Sequence, residues 1–162
     1  DADIYITRLN KNLEIVFEKF LDFDAHEFGK KVVKFHNSFL ILGSKQNNNV
    51  SSFDFFLAYI DPKGDVIWSC DYGNKNWDFA EDLFLTKEKI FILGTSSNST
   101  DESSVLILEL DHFGNEISKY EVTTDSNIQA NTLKVVDNKI FFTARIFNNQ
   151  SVYKSFLCSF DM

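Results

Sequence analysis

Short apolar runs rich in aromatic and β-branched residues alternate with polar turn clusters at roughly 10–12-residue intervals, the spacing of an all-β protein. The middle of the chain shows the pattern most fully. Residues 55–61 are apolar on both faces of an extended strand. Pro62-Lys63-Gly64-Asp65 then makes a tight turn, with Pro presetting φ and Gly free to turn left-handed. Residues 66–71 return, and 72–78 form a polar connection. Residues 80–86 and 90–96 predict the next hairpin, across Lys87-Glu88-Lys89, and the Ser-, Asn- and Asp-rich stretch 97–104 reads as an exposed loop. No segment carries the period of an amphipathic helix.

This unit recurs. Ile60-Asp61-Pro62-Lys63-Gly64-Asp65-Val66-Ile67-Trp68 returns fifty residues later as Leu110-Asp111-His112-Phe113-Gly114-Asn115-Glu116-Ile117-Ser118. It also stands fifty-one residues earlier as Leu9-Asn10-Lys11-Asn12-Leu13-Glu14-Ile15-Val16-Phe17. The same offsets align Ile90-Phe91-Ile92-Leu93-Gly94-Thr95 with Phe39 to Ser44 and Ile140 to Arg145. The copies span 3–53, 54–104 and 105–154, with a partial fourth at 155–162, in a single repeat domain. Fixed periods of this size mark propellers, solenoids or arrays. Strands apolar on both faces need cover on both sides, which four-stranded units stacked face to face provide. The expected fold is a partial β-propeller of thirteen strands: two whole blades, a leading half-blade and a trailing three-quarter blade. The alternative is a β-trefoil, which uses twelve.

The order of signals resembles the roughly fifty-residue repeats of bacterial β-propellers. These read strand, Asp-x-x-Gly turn, strand ending near Trp, Asp-x-Ala, strand, turn, strand ending Gly-Thr or Gly-Ser. Asp61, Gly64, Trp68, Gly73, Asp78, Ala80, Gly94 and Thr95 carry the match. It is also similar to the tryptophan-docked repeats of quinoprotein propellers, although Phe17 and Ser118 stand where Trp68 does, so no regular ring of docking tryptophans is present. Leu13 stands where the turn glycine belongs. The resemblance implies innermost strands at 31–35, 81–86 and 131–136, and outermost strands at 13–20, 65–71 and 115–122. It also implies a bacterial protein in a periplasmic or extracellular setting. Its functional face would be formed by the loops 22–30, 44–52, 72–78, 95–103, 123–130 and 146–151. An open arc of this kind leaves edges unpaired near 3–9 and 152–161 and an apolar face at each end. Its partners are therefore further blades of the same protein or a second copy.

Composition narrows the function. A net charge of −8 argues against nucleic acid, which needs clustered Lys and Arg, and no apolar run is long enough to insert as a membrane helix. Cys70 and Cys158 occupy non-equivalent positions in repeats that are not neighbours, and read as two packed thiols too far apart to bridge.

Candidate binding residues sit on the loop face: Trp77, His26 and Asn127 at equivalent positions, with Asp78 and Asp24 beside them. An aromatic at a channel mouth can stack on a sugar or anchor a partner's side chain. Asp22, Asp24, His26 and Glu27 form the densest group of ligand-type side chains, but their spacing matches no metal signature, so they read as a solvated acidic loop and no metal or cofactor is expected. Asn98, Asp101 and Glu102 lack the alternation of a calcium loop, and Asn47-Asn48-Asn49 reads as a hairpin tip. Glu27 and Asp78 are equivalent and could make an acid–base pair at the channel mouth, although the third copy has Ile128 there. His36 and His112 fall in tight turns. No phosphate loop, nucleophile elbow or His-Glu-x-x-His motif is present. The reading is a non-catalytic binding or scaffold module that presents loops on one face to a protein or glycan. The alternative is part of an enzyme propeller (a quinoprotein, lyase or glycosidase relative) with catalytic residues outside this segment.

Overall fold

The computed structural model describes residues 2–47, 52–73, 75–98, 102–147 and 154–162. It is all-β, with thirteen strands in four antiparallel sheets and no helix among the described residues. β1 (Ile4–Leu9) and β2 (Ile15–Leu21) make the first sheet. The second holds β3 (Glu27–Phe35), β4 (Ser38–Asn47), β5 (Ser52–Ile60) and β6 (Val66–Tyr72), in that order. The third repeats this with β7 (Trp77–Leu85), β8 (Ile90–Ser97), β9 (Ser103–Leu110) and β10 (Glu116–Val122). β11 (Asn127–Val136), β12 (Lys139–Phe147) and β13 (Lys154–Asp161) form the last.

Strands apolar on both faces lie between sheets, because each face is buried against a different neighbour. Ile41, Phe56, Ala58 and Ile60 meet Ile4 and Leu21 of the first sheet. Their sequence neighbours Leu40, Leu42, Phe55 and Leu57 point the other way, into a layer shared with Leu83, Ile90, Ile92, Leu106 and Leu108. Phe91, Leu93, Val105 and Ile107 face a third layer with Leu133, Ile140 and Phe142. The sheets therefore stand in a row with one core layer at each junction, an arrangement unlike the closed barrel of a trefoil. Cys158 packs at the edge of the third layer; both cysteines are free and half-buried.

The glycine turns hold the sheets together as well as reversing the chain. Asp61 Oδ1 accepts the Lys63 and Asp65 amides at 2.7 and 2.9 Å, and Asp111 Oδ1 accepts those of Phe113 and Asn115 at 2.8 and 2.9 Å. Gly64 and Gly114 adopt the left-handed φ the turn requires, 81° and 86°. A Cβ at Gly64 would lie 2.9 Å from Ile6 and Phe17 of the preceding sheet, and one at Gly114 would lie 3.2 Å from the Trp68 ring. Phe17 and Trp68 thus dock on the turn glycine of the next sheet, and the Tyr72 hydroxyl donates to the Gly114 carbonyl at 2.7 Å.

In the first sheet Asn10 Oδ1 builds the same turn, accepting the Asn12 and Glu14 amides, and Leu13 takes φ 64°. A leucine strains there, and at 78% exposure it gives little packing in return. Leu13→Gly is expected to stabilise the protein by about 0.5–1 kcal/mol, the relief of strain outweighing the extra freedom of the unfolded chain. The midpoint of denaturant unfolding checks this; a lower midpoint would contradict it.

Two ends are open: β1 pairs with β2 alone and β13 with β12 alone. The expected apolar face is broadest at the leading sheet, where Tyr5, Val16 and Phe20 are exposed. On the trailing sheet, Thr143, Ser155 and Ser159 stand where interior sheets have Leu42 and Leu93, Phe55 and Val105, and Tyr59 and Glu109, and Lys139 pairs with Asp161. Leu157, which pairs with Thr143 between the two serines, stays 69% exposed, so the trailing face is mixed: more polar than the leading one, with an apolar side chain at its centre.

Candidate functional site

β3, β7 and β11 each begin several residues before the pattern of the sequence places them. β7 starts at Trp77 and β11 at Asn127, so these residues lie on strands and not in loops. A β-bulge explains the difference. The register shifts between Gly29 and Lys31, between Ala80 and Asp82, and between Ala130 and Thr132. The apolar core positions are therefore even-numbered before the bulge (Ala80; Ile128, Ala130) and odd-numbered after it (Leu83; Leu133). That change of parity hides the continuous strand from a period-2 reading.

On the other face of these strands, Phe28, Trp77 and Phe79 are 52%, 45% and 37% exposed. Phe53 joins them: its ring centroid is 5.6 Å from Phe28, 5.6 Å from Trp77 and 5.4 Å from Phe79, on which it stacks. The four rings form one platform. Phe28 and Phe79 also border an open cleft of about 870 Å³ whose walls include Lys30, Glu81, Asn127, Gln129 and Phe147. The bulged residues supply its charges, a Lys30–Glu81 ion pair at 2.5 Å. Other polar groups around the cleft serve the fold. Thr95 Oγ1 accepts the Ala130 amide at 3.0 Å, and Ser103 bridges to both the amide and the carbonyl of Ile128. Ser44 plays the part of Thr95 one sheet earlier, accepting the Ala80 amide at 2.9 Å.

The structure divides the binding residues expected from sequence. Asn127 lines the cleft, and Trp77 joins it through the rings of Phe53 and Phe79. Asp78 does not: it is fully buried on β7, which removes it from any acid–base pair with Glu27 at a channel mouth. Asp24, at φ 62°, lines a separate pocket of about 370 Å³ with Lys45, Gln46, Asn47, Asp54 and Asp71. His26 has a structural task, its Nδ1 accepting the Ala2 amide at 2.9 Å. Glu27 turns inward near Asp22, with a third acid, Asp3, that the sequence grouping did not include. Burial raises the Glu27 carboxyl above its ordinary range, and the Asp22 and Asp3 charges add to this against the Phe23 amide and Lys45. Phe28, Phe53 and Phe79 were missed as candidates. Their signal was an aromatic at odd places in the strand pattern, which also reads as core.

His36 and His112, in separate turns, meet with ring centroids 5.9 Å apart, and Phe35 lies edge-on to His112. Asp101, Asn48 and Asn49 lie outside the described residues. No protein-family model and no curated protein matches the chain.

Proposed function

We propose that the chain is a non-catalytic binding module of β-propeller type whose ligand rests on the Phe28–Phe53–Phe79–Trp77 platform. One observation carries this reading: contiguous aromatic rings, each more than a third exposed at three of the four positions, beside a cleft with amide and carboxylate side chains. Exposed aromatic patches of this kind mark interaction sites. The apolar C–H face of a sugar stacks on such rings, while Asn127, Gln129 and Glu81 offer the mixed donors and acceptors that hydroxyl groups use. A glycan therefore suits the surface better than a protein partner. The enzyme alternative draws no support from Asp78, which is buried away from the cleft.

Titration of the intact chain with a panel of neutral and acidic oligosaccharides, read by tryptophan fluorescence, tests this. At least one should shift the emission saturably, and Trp77→Ala should weaken its binding by about tenfold or more. No response to any oligosaccharide would overturn the glycan assignment. A protein ligand whose binding Trp77→Ala weakens would keep the platform and change the ligand class. A ligand insensitive to Trp77→Ala would remove the platform itself.

A further inference from the structure

Away from the aromatic platform, three chain segments converge at one acidic corner. Asp3 precedes β1, Asp22 follows β2, and Glu27 opens β3. One carboxylate oxygen from each lies within 4.8 Å of the other two. Glu27 is 2% exposed, and neither of its oxygens makes a well-formed hydrogen bond; the Phe23 amide approaches without completing one. The neighbouring cation, Lys45, is paired with Asp71 at 3.1 Å. A buried carboxylate facing two others is strongly unfavourable without a counter-charge, because burial weakens solvation and strengthens the repulsion.

We propose that Asp3, Asp22 and Glu27 form a divalent-cation site, with calcium as the fitting ion. All three donors are hard oxygens, which suit calcium or magnesium over zinc or copper. Ligands from three separate segments, with water free to complete the shell from the exposed side of Asp3 and Asp22, match the tolerant coordination of calcium better than the strict octahedron of magnesium. His26 is not a ligand, since its Nδ1 already accepts the Ala2 amide.

The repeats explain why the full set occurs here. The positions equivalent to Asp3, Asp22 and Glu27 hold Asp54, Gly73 and Asp78 in the second copy and Ser104, Thr123 and Ile128 in the third. At Gly73 a side chain would not fit, as its Cβ would fall 2.1 Å from the Asp54 carboxylate. The first corner is also a junction between sheets. The Glu27 amide donates to the Ala2 carbonyl at 2.7 Å, so a cation bound there fastens the segment leading into β1 to the start of β3. Calcium would stabilise the attachment of the two-stranded leading sheet.

Thermal unfolding of the intact chain in EDTA, millimolar calcium and millimolar magnesium tests the proposal. Calcium should raise Tm by about 5 °C or more, and magnesium by clearly less. Glu27→Gln should fold without calcium, because it removes the buried charge, and should lose the calcium response. Asp22→Asn, at the exposed side of the corner, should weaken calcium binding by about tenfold in calorimetry. Trp77→Ala should keep the full response, which separates this site from the aromatic platform. Equal Tm in EDTA and calcium, or an unchanged response in both carboxylate variants, would overturn the site. Equal responses to the two ions would overturn the choice of calcium.

Discussion

Gly94→Ala is expected to destabilise the protein by about 3 kcal/mol, at the upper end of ordinary overpacking. Gly94 lies on β8 where the third sheet meets the second. A Cβ there would fall 2.3 Å from the Phe55 ring and 2.5 Å from the Phe79 carbonyl. Neither neighbour can retreat, since Phe55 is fully buried and Phe79 is a backbone group of the paired strand β7. The next junction shows how the same fold accepts a methyl group. Ala144 stands in the position of Gly94, and Val105 in that of Phe55. The two junctions exchange volume: large ring with no side chain, or smaller side chain with a methyl. Phe55→Val placed in the Gly94→Ala chain should therefore recover part of the loss, although Phe55→Val alone should cost stability through the cavity it leaves. A double-mutant cycle on urea midpoints measures the coupling. Additive effects would show that the ring and the glycine do not compete for the same space.

Asp82→Ala should cost about 2–3 kcal/mol. Asp82 is buried on β7, an edge strand of the third sheet. Its Oδ2 accepts the Leu133 amide of the fourth sheet at 2.7 Å, its Oδ1 accepts the Leu83 amide at 2.9 Å, and Lys31 of the second sheet forms an ion pair with it. One carboxylate thus joins three sheets. Removing it takes this acceptor from two buried amides, those of Leu83 and Leu133, while the Lys31 ammonium, 38% exposed, returns partly to water. The amides therefore account for more of the loss than the ion pair. Asp82→Asn retains one acceptor oxygen and should lose about half as much. Denaturant midpoints give the energies, and faster hydrogen exchange at the Leu133 amide would locate the effect. Wild-type exchange at Leu133 in the alanine variant would refute the bridge.

The candidate site was legible only in part, and the missing part has a mechanical cause. Trp77 and Asn127 were visible as equivalent residues of unlike chemistry. Phe28 and Phe79 were not, because in an isolated strand an aromatic residue beside a buried one predicts core as readily as surface. The bulges at Lys30, Glu81 and Asn131 turn the strand face over, and one inserted residue leaves no mark in composition. Asp3 was missed for another reason. It lies nineteen residues before Asp22 in sequence, and the β1–β2 hairpin carries it back beside the acidic corner.

The sequence by itself determined the all-β class, the strand order within the repeated units, the left-handed glycines and the double-sided burial of the central strands. Each follows from local chemistry: turn residues define their own conformation, and alternation along one strand states which faces need cover. Tertiary structure alone decided which carboxylates are buried and which rings are bare. It sent the equivalent acids Glu27 and Asp78 into different surroundings, assembled four aromatic rings from three strands, and left Leu157 bare on the trailing face opposite Thr143 and between Ser155 and Ser159. These outcomes depend on what a neighbouring sheet places opposite a residue, and no pattern within one strand contains that information.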